Sequence, residues 1–221
     1  MELLAALGLG RSYGAKSRVA IRSLPGILQS GLWRQLDGSP AAPTRALITD
    51  VGNDILYGSA PERILGWVDE CVARLQAHAA EVVLTDLPLA SVRRLSPAKF
   101  LFFRTILYPP CRLSLAQALD CTERVSDGLL QLARRRGCGF FNLRPEWYGI
   151  DPIHFRPGTW RIAWQQILGG GDGSAALPRA PLAESLGLYL MRPEREWIAG
   201  WERTVPQAGR RLRRGARVWL Y

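Results

Sequence analysis

Two residue types are scarce in this chain of 221 residues, which has two histidines and four cysteines. No pair of cysteines shows the Cys-x-x-Cys spacing, and with so few histidines a zinc ribbon or zinc finger is excluded. Cys71 falls in an apolar helical stripe and Cys138 just before an expected strand, a pattern that favours buried, reduced thiols. We expect the protein to use no metal and no organic cofactor.

Long apolar runs are also lacking. Runs such as residues 100–103 and 3–7 are far shorter than the roughly 20 residues that a membrane-spanning helix needs. The N-terminal stretch carries Glu2 and has neither a basic leader nor a small-residue cleavage site, so it does not resemble a secretory signal. We therefore expect a cytoplasmic protein, for which a membrane surface is an open but unsupported partner.

Lysine is nearly absent from the basic residues. Only Lys16 and Lys99 among the 29 cations are lysines, and with 19 acidic residues the net charge is +10. A net positive charge of this size attracts polyanions in general. The arginines are scattered, however, and cluster only at residues 134–136 and in the tail, at Arg210, Arg211, Arg213, Arg214 and Arg217. Nucleic acid is therefore not the expected partner.

The chain does have the apolar content for a sizeable core, 48% of its residues. Short apolar runs alternate with helical patterns, which predicts βαβ units around a parallel sheet. A Ser114-x-x-Gln117 capping box and Gly137 mark the two ends of the longest predicted helix. We predict strands at residues 3–9, 24–30, 46–51, 81–87 and 139–143, and helices at residues 13–23, 61–75, 91–108, 114–136 and 157–168.

The composition changes after a glycine-rich break at residues 169–174. Beyond the break the sequence is rich in proline and arginine, with tryptophans spaced through it. We predict one three-layer α/β/α domain over residues 1–168. Residues 169–221 are predicted to form a linker and a C-terminal extension that packs on this domain through its tryptophan side chains.

Three short polar stretches each follow a predicted strand, where ligands bind in open parallel sheets. They are residues 10–14, 51–54 and 151–154. A serine in a glycine-flanked turn, Ser12, can act as a nucleophile, and the Asn53 amide can donate to a developing oxyanion. Asp151 can orient the imidazole of His154, which then takes the serine proton.

The order of these stretches resembles the motif blocks of the SGNH (GDSL-type) serine esterases and lipases. Those blocks are a Gly-Asp-Ser after the first strand, a lone glycine, a Gly-x-Asn-Asp and a late Asp-x-x-His. The resemblance implies a flavodoxin-like three-layer fold over about residues 2–168. It also implies a catalytic triad, which would be Ser12, Asp151 and His154. The oxyanion hole would be formed by Ser12, Asn53 and Gly31, and Gly26 is nearly as good a candidate as Gly31.

Two positions depart from the family pattern. Arg11 stands where the family has an acid, and Val51 stands in place of the first glycine of Gly-x-Asn-Asp. A cation beside the nucleophile could aid an anionic substrate or could belong to a rebuilt local network, so the substrate does not follow from the resemblance. By position, weaker candidates for substrate binding are Arg11, Tyr13, Trp147 and Tyr148.

We therefore expect a serine hydrolase that cleaves an acyl ester, or an acetylated carbohydrate or lipid, through an acyl-enzyme intermediate. The alternative is a catalytically inactive, SGNH-like basic module that binds nucleic acid or another polyanion. An α/β-hydrolase elbow at residues 10–14 is disfavoured, because only nine residues precede Gly10 and that fold needs several strands there. A two-metal phosphatase built on Asp50, Asn53, Asp54, Asp151 and His154 is short of histidine ligands.

Overall fold

The computed structural model describes residues 1–149, 153–169, 181–213 and 215–221, and within these ranges the protein is a mixed α/β structure. The strands are Glu2–Ala5 (β1), Ser17–Val19 (β2), Arg22–Leu24 (β3), Arg45–Ile48 (β4), Glu81–Thr85 (β5), Gly139–Phe141 (β6), Arg195–Ile198 (β7), Trp201–Thr204 (β8), Arg210–Arg211 (β9) and Arg217–Leu220 (β10). The helices are Leu32–Asp37 (α1), Asn53–Leu56 (α2), Pro61–Ala77 (α3), Leu89–Val92 (α4), Pro97–Leu107 (α5), Leu115–Arg136 (α6), Trp160–Ile167 (α7) and Leu182–Tyr189 (α8).

The chain divides into two compact units. The terminal unit comprises Met1–Ala42 and Leu177–Tyr221, and the central unit comprises Pro43–Ala176. The predicted boundary at residue 168 stays a prediction, and residues 170–174 of the predicted linker lie outside the described residues.

The central unit contains a three-stranded parallel sheet in the order β4-β5-β6. The middle strand is buried from Val82 to Thr85, as a strand covered on both faces must be. Helices α3 and α6 pack on each other and on this strand. Their buried residues recur at helical spacing and form the core of the unit: Ile64, Val68, Cys71 and Val72 from α3, and Val125, Leu129 and Leu132 from α6.

The longest helix, α6, begins and ends as predicted. The Ser114 hydroxyl accepts from the Gln117 backbone N–H, and the Gln117 side chain accepts from the Ser114 N–H, so the capping box is formed. Gly137 follows the helix with a φ of 64°, the left-handed conformation that glycine adopts without strain.

The helix predicted over residues 91–108 is in fact two helices, α4 and α5. Pro97 begins α5 instead of interrupting a longer helix, because the first turn does not need the N–H that proline lacks. Ser96 caps this start by accepting from the Lys99 N–H at 3.3 Å. The predicted helix at residues 157–168 is also shorter and begins at Trp160.

The terminal unit differs from the prediction. Residues 13–23 do not form a helix, since they contain β2 and β3, which are joined through Ala20 with a φ of 52°. The strand predicted over residues 24–30 was likewise wrong, because Ile27–Gln29 is a 3₁₀ turn. The unit holds an antiparallel sheet in the order β2-β3-β7-β8 and a second sheet in the order β1-β10-β9. Among the described strands, β1 therefore pairs with the tail and not with β4, β5 or β6.

The four cysteines are free thiols, and Cys71 is buried as predicted. Cys138, which was also predicted to be buried, is only partly buried, because the short strand β6 that follows it is itself partly exposed. Burial raises the pKa of the Cys71 thiol to about 12, so it stays protonated at neutral pH. Across the described ranges, none of the helices has the length and apolar content required to cross a membrane.

Candidate functional site

Ser12 lies in a turn of the terminal unit between β1 and β2. Gly10 adopts a φ of 60° at the start of this turn. The Ser12 Oγ accepts a hydrogen bond from the Ala15 N–H at 2.8 Å, and the Ser12 carbonyl accepts one from the Ile27 N–H at 3.0 Å. The Ser12 side chain is fully buried. The hydroxyl is therefore held in a defined position and acts at least as the acceptor of a serine turn.

Arg11 and Tyr13, the neighbours of Ser12, are both buried. The Arg11 Nη1 donates to the backbone oxygen of Tyr221 at 2.8 Å and to the Leu7 carbonyl at 3.3 Å. Burial, followed by the charge of Arg22, lowers the pKa of Arg11 to about 10, so the guanidinium remains charged at neutral pH. A buried cation is thus adjacent in sequence to the candidate nucleophile and links its turn to the end of β10.

The two candidate oxyanion glycines occupy different surroundings. Gly31 precedes α1, and a Cβ at this position would overlap the carboxylate of Glu194. Gly26 packs against the turn itself, where a Cβ would come within 2.9 Å of the Gly14 carbonyl carbon. A side chain at position 31 would have to displace the Glu194 carboxylate, whereas one at position 26 would meet backbone, so Gly26 is the glycine that the Ser12 turn requires.

In the central unit, Asn53 begins α2 just after β4. Its Oδ1 accepts a hydrogen bond from the Tyr108 hydroxyl at 2.6 Å. Tyr108 is buried and packs edge-to-face on Tyr57, with ring centroids 5.3 Å apart. Burial raises the pKa of Tyr108, so its hydroxyl stays protonated and remains a donor. This bond orients the Asn53 amide with its Nδ2 donors on the side away from Tyr108.

His154 is exposed, on the loop that follows β6. The next residue, Phe155, forms a single antiparallel bridge with Tyr148, and its ring packs against those of Trp147, Tyr148 and Trp164. This aromatic packing anchors the loop that carries His154. Asp151, the predicted partner of His154, lies outside the described residues.

Asp50 is a carboxylate of the described chain that interacts electrostatically with His154. It follows β4 with a φ of 58°, a conformation uncommon for residues other than glycine. Asp50 is an exposed residue, although its carboxyl group is partly desolvated. This desolvation raises the pKa of Asp50, and the nearby charge of His154 acts in the opposite direction.

Trp147 and Tyr148, the weaker substrate-binding candidates, both lie in the aromatic cluster of the central unit. Trp147 is 3% exposed and stacks on Phe141 at 6.0 Å, a core position. Tyr148 also lines a pocket of about 230 Å³ together with Asp86, Ser91 and other residues of the loops after β5 and β6. Tyr148 therefore borders a cavity, whereas Trp147 is a core residue of the cluster.

Asp86 lies in this pocket directly after β5. Its Oδ1 accepts from the Leu143 N–H at 2.7 Å. Burial raises the pKa of Asp86 to about 6, and the hydrogen bonds from the Leu143 and Asp86 backbone act against that rise. The carboxyl therefore titrates near neutral pH at the same sheet edge as Asp50.

Sequence reasoning missed three features of this edge. The sequence pattern presented Asp50 only as a candidate metal ligand, and it gave no site role to Tyr108 or Asp86. The available signal was position, since Asp50 and Asp86 each stand just after a buried parallel strand, where ligands bind in this architecture. The edge gathers an imidazole, a carboxylate close to it and an oriented amide, the groups that move a proton and bind an oxyanion.

In the described part of the chain, no group of three His, Cys, Asp or Glu side chains could hold a metal ion. A comparison with protein-family models gave no match for this chain, and a search of curated proteins gave none either.

Proposed function

We propose that this protein is a serine hydrolase of the SGNH type that cleaves an acyl ester, or an acetylated carbohydrate or lipid. The observation that carries the proposal is the interaction of Asp50 with His154 in the central unit. It occurs at the sheet edge where Tyr108 orients the Asn53 amide. A histidine with a carboxylate partner and an amide donor are two of the three parts of an acyl-transfer centre. The flavodoxin-like form of the α/β fold belongs to the same proposal.

The third part is the nucleophile, Ser12. In the proposed reaction its Oγ attacks the ester carbonyl carbon while His154 takes the hydroxyl proton. The alcohol leaves with that proton, and the acyl group stays on Ser12. Water, deprotonated by His154, then attacks the acyl-enzyme and releases the acid and free serine. The oxyanion hole that the resemblance implies is the Asn53 amide with backbone N–H groups of Ser12 and of Gly31 or Gly26.

His154 has two candidate carboxylate partners in this scheme. Asp151 is the partner implied by resemblance to the SGNH pattern, and Asp50 is the partner suggested by the charge of His154 near its carboxyl group. A carboxylate beside the imidazole stabilises the imidazolium that forms during proton transfer. Asp50→Asn and Asp151→Asn therefore identify the partner, since the larger fall in kcat belongs to the carboxylate that serves His154.

Because Ser12 is fully buried, substrate reaches it only when its surroundings open. The bonds of Arg11 to Leu7 and Tyr221 support a structural role in the Ser12 turn for the residue that replaces the acid of the SGNH pattern. A slow acylation step limited by this opening is the expected kinetic result.

Hydrolysis of p-nitrophenyl acetate tests the proposal. Ser12→Ala and His154→Ala should each lower kcat about a thousandfold or more. Ser17→Ala, a second buried serine of the terminal unit, and His78→Ala, the other histidine, are the matched controls and should keep wild-type turnover. Retention of more than about a tenth of the activity by folded Ser12→Ala would overturn the assignment.

The oxyanion role of Asn53 has its own pair of variants. Asn53→Ala should lower kcat about a hundredfold, the usual effect of removing an oxyanion donor. Tyr108→Phe removes only the hydroxyl that orients the amide. It should give a smaller loss in kcat with little change in KM. A change of less than a few-fold in Asn53→Ala would remove this residue from the oxyanion hole.

A further inference from the structure

Helix α5 presents an apolar stripe to solvent. Its exposed positions follow helical spacing along one face: Ala98, Leu101, Phe102, Thr105 and Ile106. The large side chains on this face are well exposed, at 51% for Leu101, 59% for Phe102 and 59% for Ile106. A helix of a globular protein normally turns such a stripe to the core.

The orientation of α5 is fixed by contacts on its other side. Phe100 is 8% exposed, and α5 packs on α6. The Arg104 Nη1 donates to the Leu113 carbonyl at 2.8 Å, and Ser96 caps the first turn. The exposed stripe is therefore the outer face of an anchored helix, since Phe100 already supplies its inner contact.

The sequence segment that carries this face has charges of one sign only. Residues 87–119 contain no acidic residue and five cations, Arg93, Arg94, Lys99, Arg104 and Arg112. Arg93 pairs with Glu123. Arg94, Lys99 and Arg112 are exposed and form no ion pair with any residue that the structure describes. An exposed aromatic and aliphatic face is thus carried by a segment with three exposed cations that no described acid pairs with.

We propose that α5 docks this protein on an anionic lipid surface. Leu101, Phe102 and Ile106 enter the boundary between headgroups and acyl chains, and the cations Arg94, Lys99 and Arg112 bind headgroup phosphates. Apolar burial and attraction to anionic headgroups are the two terms that hold interfacial helices. A second copy of this chain fits less well, because a twofold contact would bring the same uncompensated cations together. The inference does not depend on the proposed hydrolase chemistry.

Sedimentation with vesicles tests the docking surface. Full-length wild type should pellet with vesicles of equal parts phosphatidylglycerol and phosphatidylcholine, and much less with phosphatidylcholine alone. The triple variants Leu101→Gln/Phe102→Gln/Ile106→Gln and Arg94→Gln/Lys99→Gln/Arg112→Gln should each bind at least about tenfold more weakly. Ser12→Ala should bind as wild type does, which separates docking from catalysis.

Matched controls change equal numbers of side chains elsewhere. Leu182→Gln/Leu186→Gln/Tyr189→Gln removes exposed apolar side chains from α8, and Arg63→Gln/Arg134→Gln/Arg135→Gln removes three exposed cations. Both controls should bind within about threefold of wild type, because only charges and apolar groups close to the lipid contribute strongly. If a docking variant fails to fold, the lipid selectivity of wild type and its loss in high salt decide instead.

Three results would overturn the inference. One is wild type that does not bind the anionic vesicles, or binds neutral ones equally well. Another is folded docking variants that bind like wild type. The third is a wild type that is dimeric and does not bind vesicles, together with a monomeric Leu101→Gln/Phe102→Gln/Ile106→Gln variant. This result would assign the face to a second copy of the chain.

Discussion

The two units are built from different kinds of pairing. In the terminal unit, strands from opposite ends of the chain meet, as Glu2 does with Arg217 in β1 and β10, and Ser23 with Trp197 in β3 and β7. In the central unit, β4, β5 and β6 follow one another in sequence and in the sheet, and helices pack over them. The terminal unit therefore depends on long-range contacts whose formation carries a larger loop-closure cost.

Truncating a buried core side chain in either unit should cause the largest loss of stability. Trp219→Ala removes a side chain that is 5% exposed in the terminal unit, and Leu129→Ala removes one with no exposure in the central unit. We expect losses of about 3–5 and about 2–5 kcal/mol in the free energy of unfolding, respectively. Urea titration followed by circular dichroism and by tryptophan fluorescence measures both.

The matched control for the tryptophan is Trp201→Ala, because Trp201 is 82% exposed. It should change the free energy of unfolding by less than about 0.5 kcal/mol. Equal effects of Trp219→Ala and Trp201→Ala would show that the pairing of β10 does not support the terminal unit.

Removing the cap of α6, a local interaction of the central unit, should cause a smaller loss of stability. Ser114→Ala removes the hydroxyl that caps α6. It should cost about 1 kcal/mol in the free energy of unfolding, and Ser114→Asp should recover most of it, since aspartate also caps helices. An unchanged urea midpoint in Ser114→Ala would show that α6 is held by its packing alone.

The smallest expected change in stability is the pH-dependent contribution of Asp86. Because the folded pKa of Asp86 is raised to about 6, its charged form is disfavoured in the folded protein. This destabilisation is fully present above about pH 6 and disappears as the pH falls below about 4, where the carboxyl is also protonated in the unfolded chain. Asp86→Asn should therefore be more stable than wild type at pH 8, by up to about 1 kcal/mol after solvent screening of this half-buried group.

The control for this effect is the pH dependence itself. The stability difference between Asp86→Asn and wild type should shrink on acidification toward pH 4, measured by urea titration in both buffers. A difference that stays constant between the two pH values would assign it to packing in the pocket and not to the charge of Asp86.

The elements that sequence predicted well are those whose signal is local. Helix α3 was predicted from apolar residues at three- and four-residue steps, and α6 from its two ends at Ser114 and Gly137. The parallel strands β4, β5 and β6 were also found, each somewhat shorter than predicted. These features need no knowledge of distant residues.

The terminal unit could not be predicted in the same way. Residues 13–23 have a pattern compatible with a helix, yet their strands form because β7, more than 170 residues away, supplies hydrogen-bond partners. The tail carries α8 and four short strands that show no clear alternation in sequence. Tertiary pairing overrides local preference here.

The candidate site likewise has features that were predictable from local sequence and features that depend on distant residues. The placement of Asn53 and His154 after strands of the parallel sheet was predictable, because each follows an apolar run. The interaction of His154 with Asp50 and the bond from Tyr108 to Asn53 join residues more than 50 positions apart. Only the folded chain brings these groups together.

Labelling with a reactive fluorophosphonate, read out by intact mass, tests the central claim most directly. We predict one adduct on wild type, none on Ser12→Ala, and markedly slower labelling of His154→Ala, because the imidazole activates the serine. An adduct that persists in Ser12→Ala, or no adduct on folded wild type, would contradict the serine hydrolase assignment.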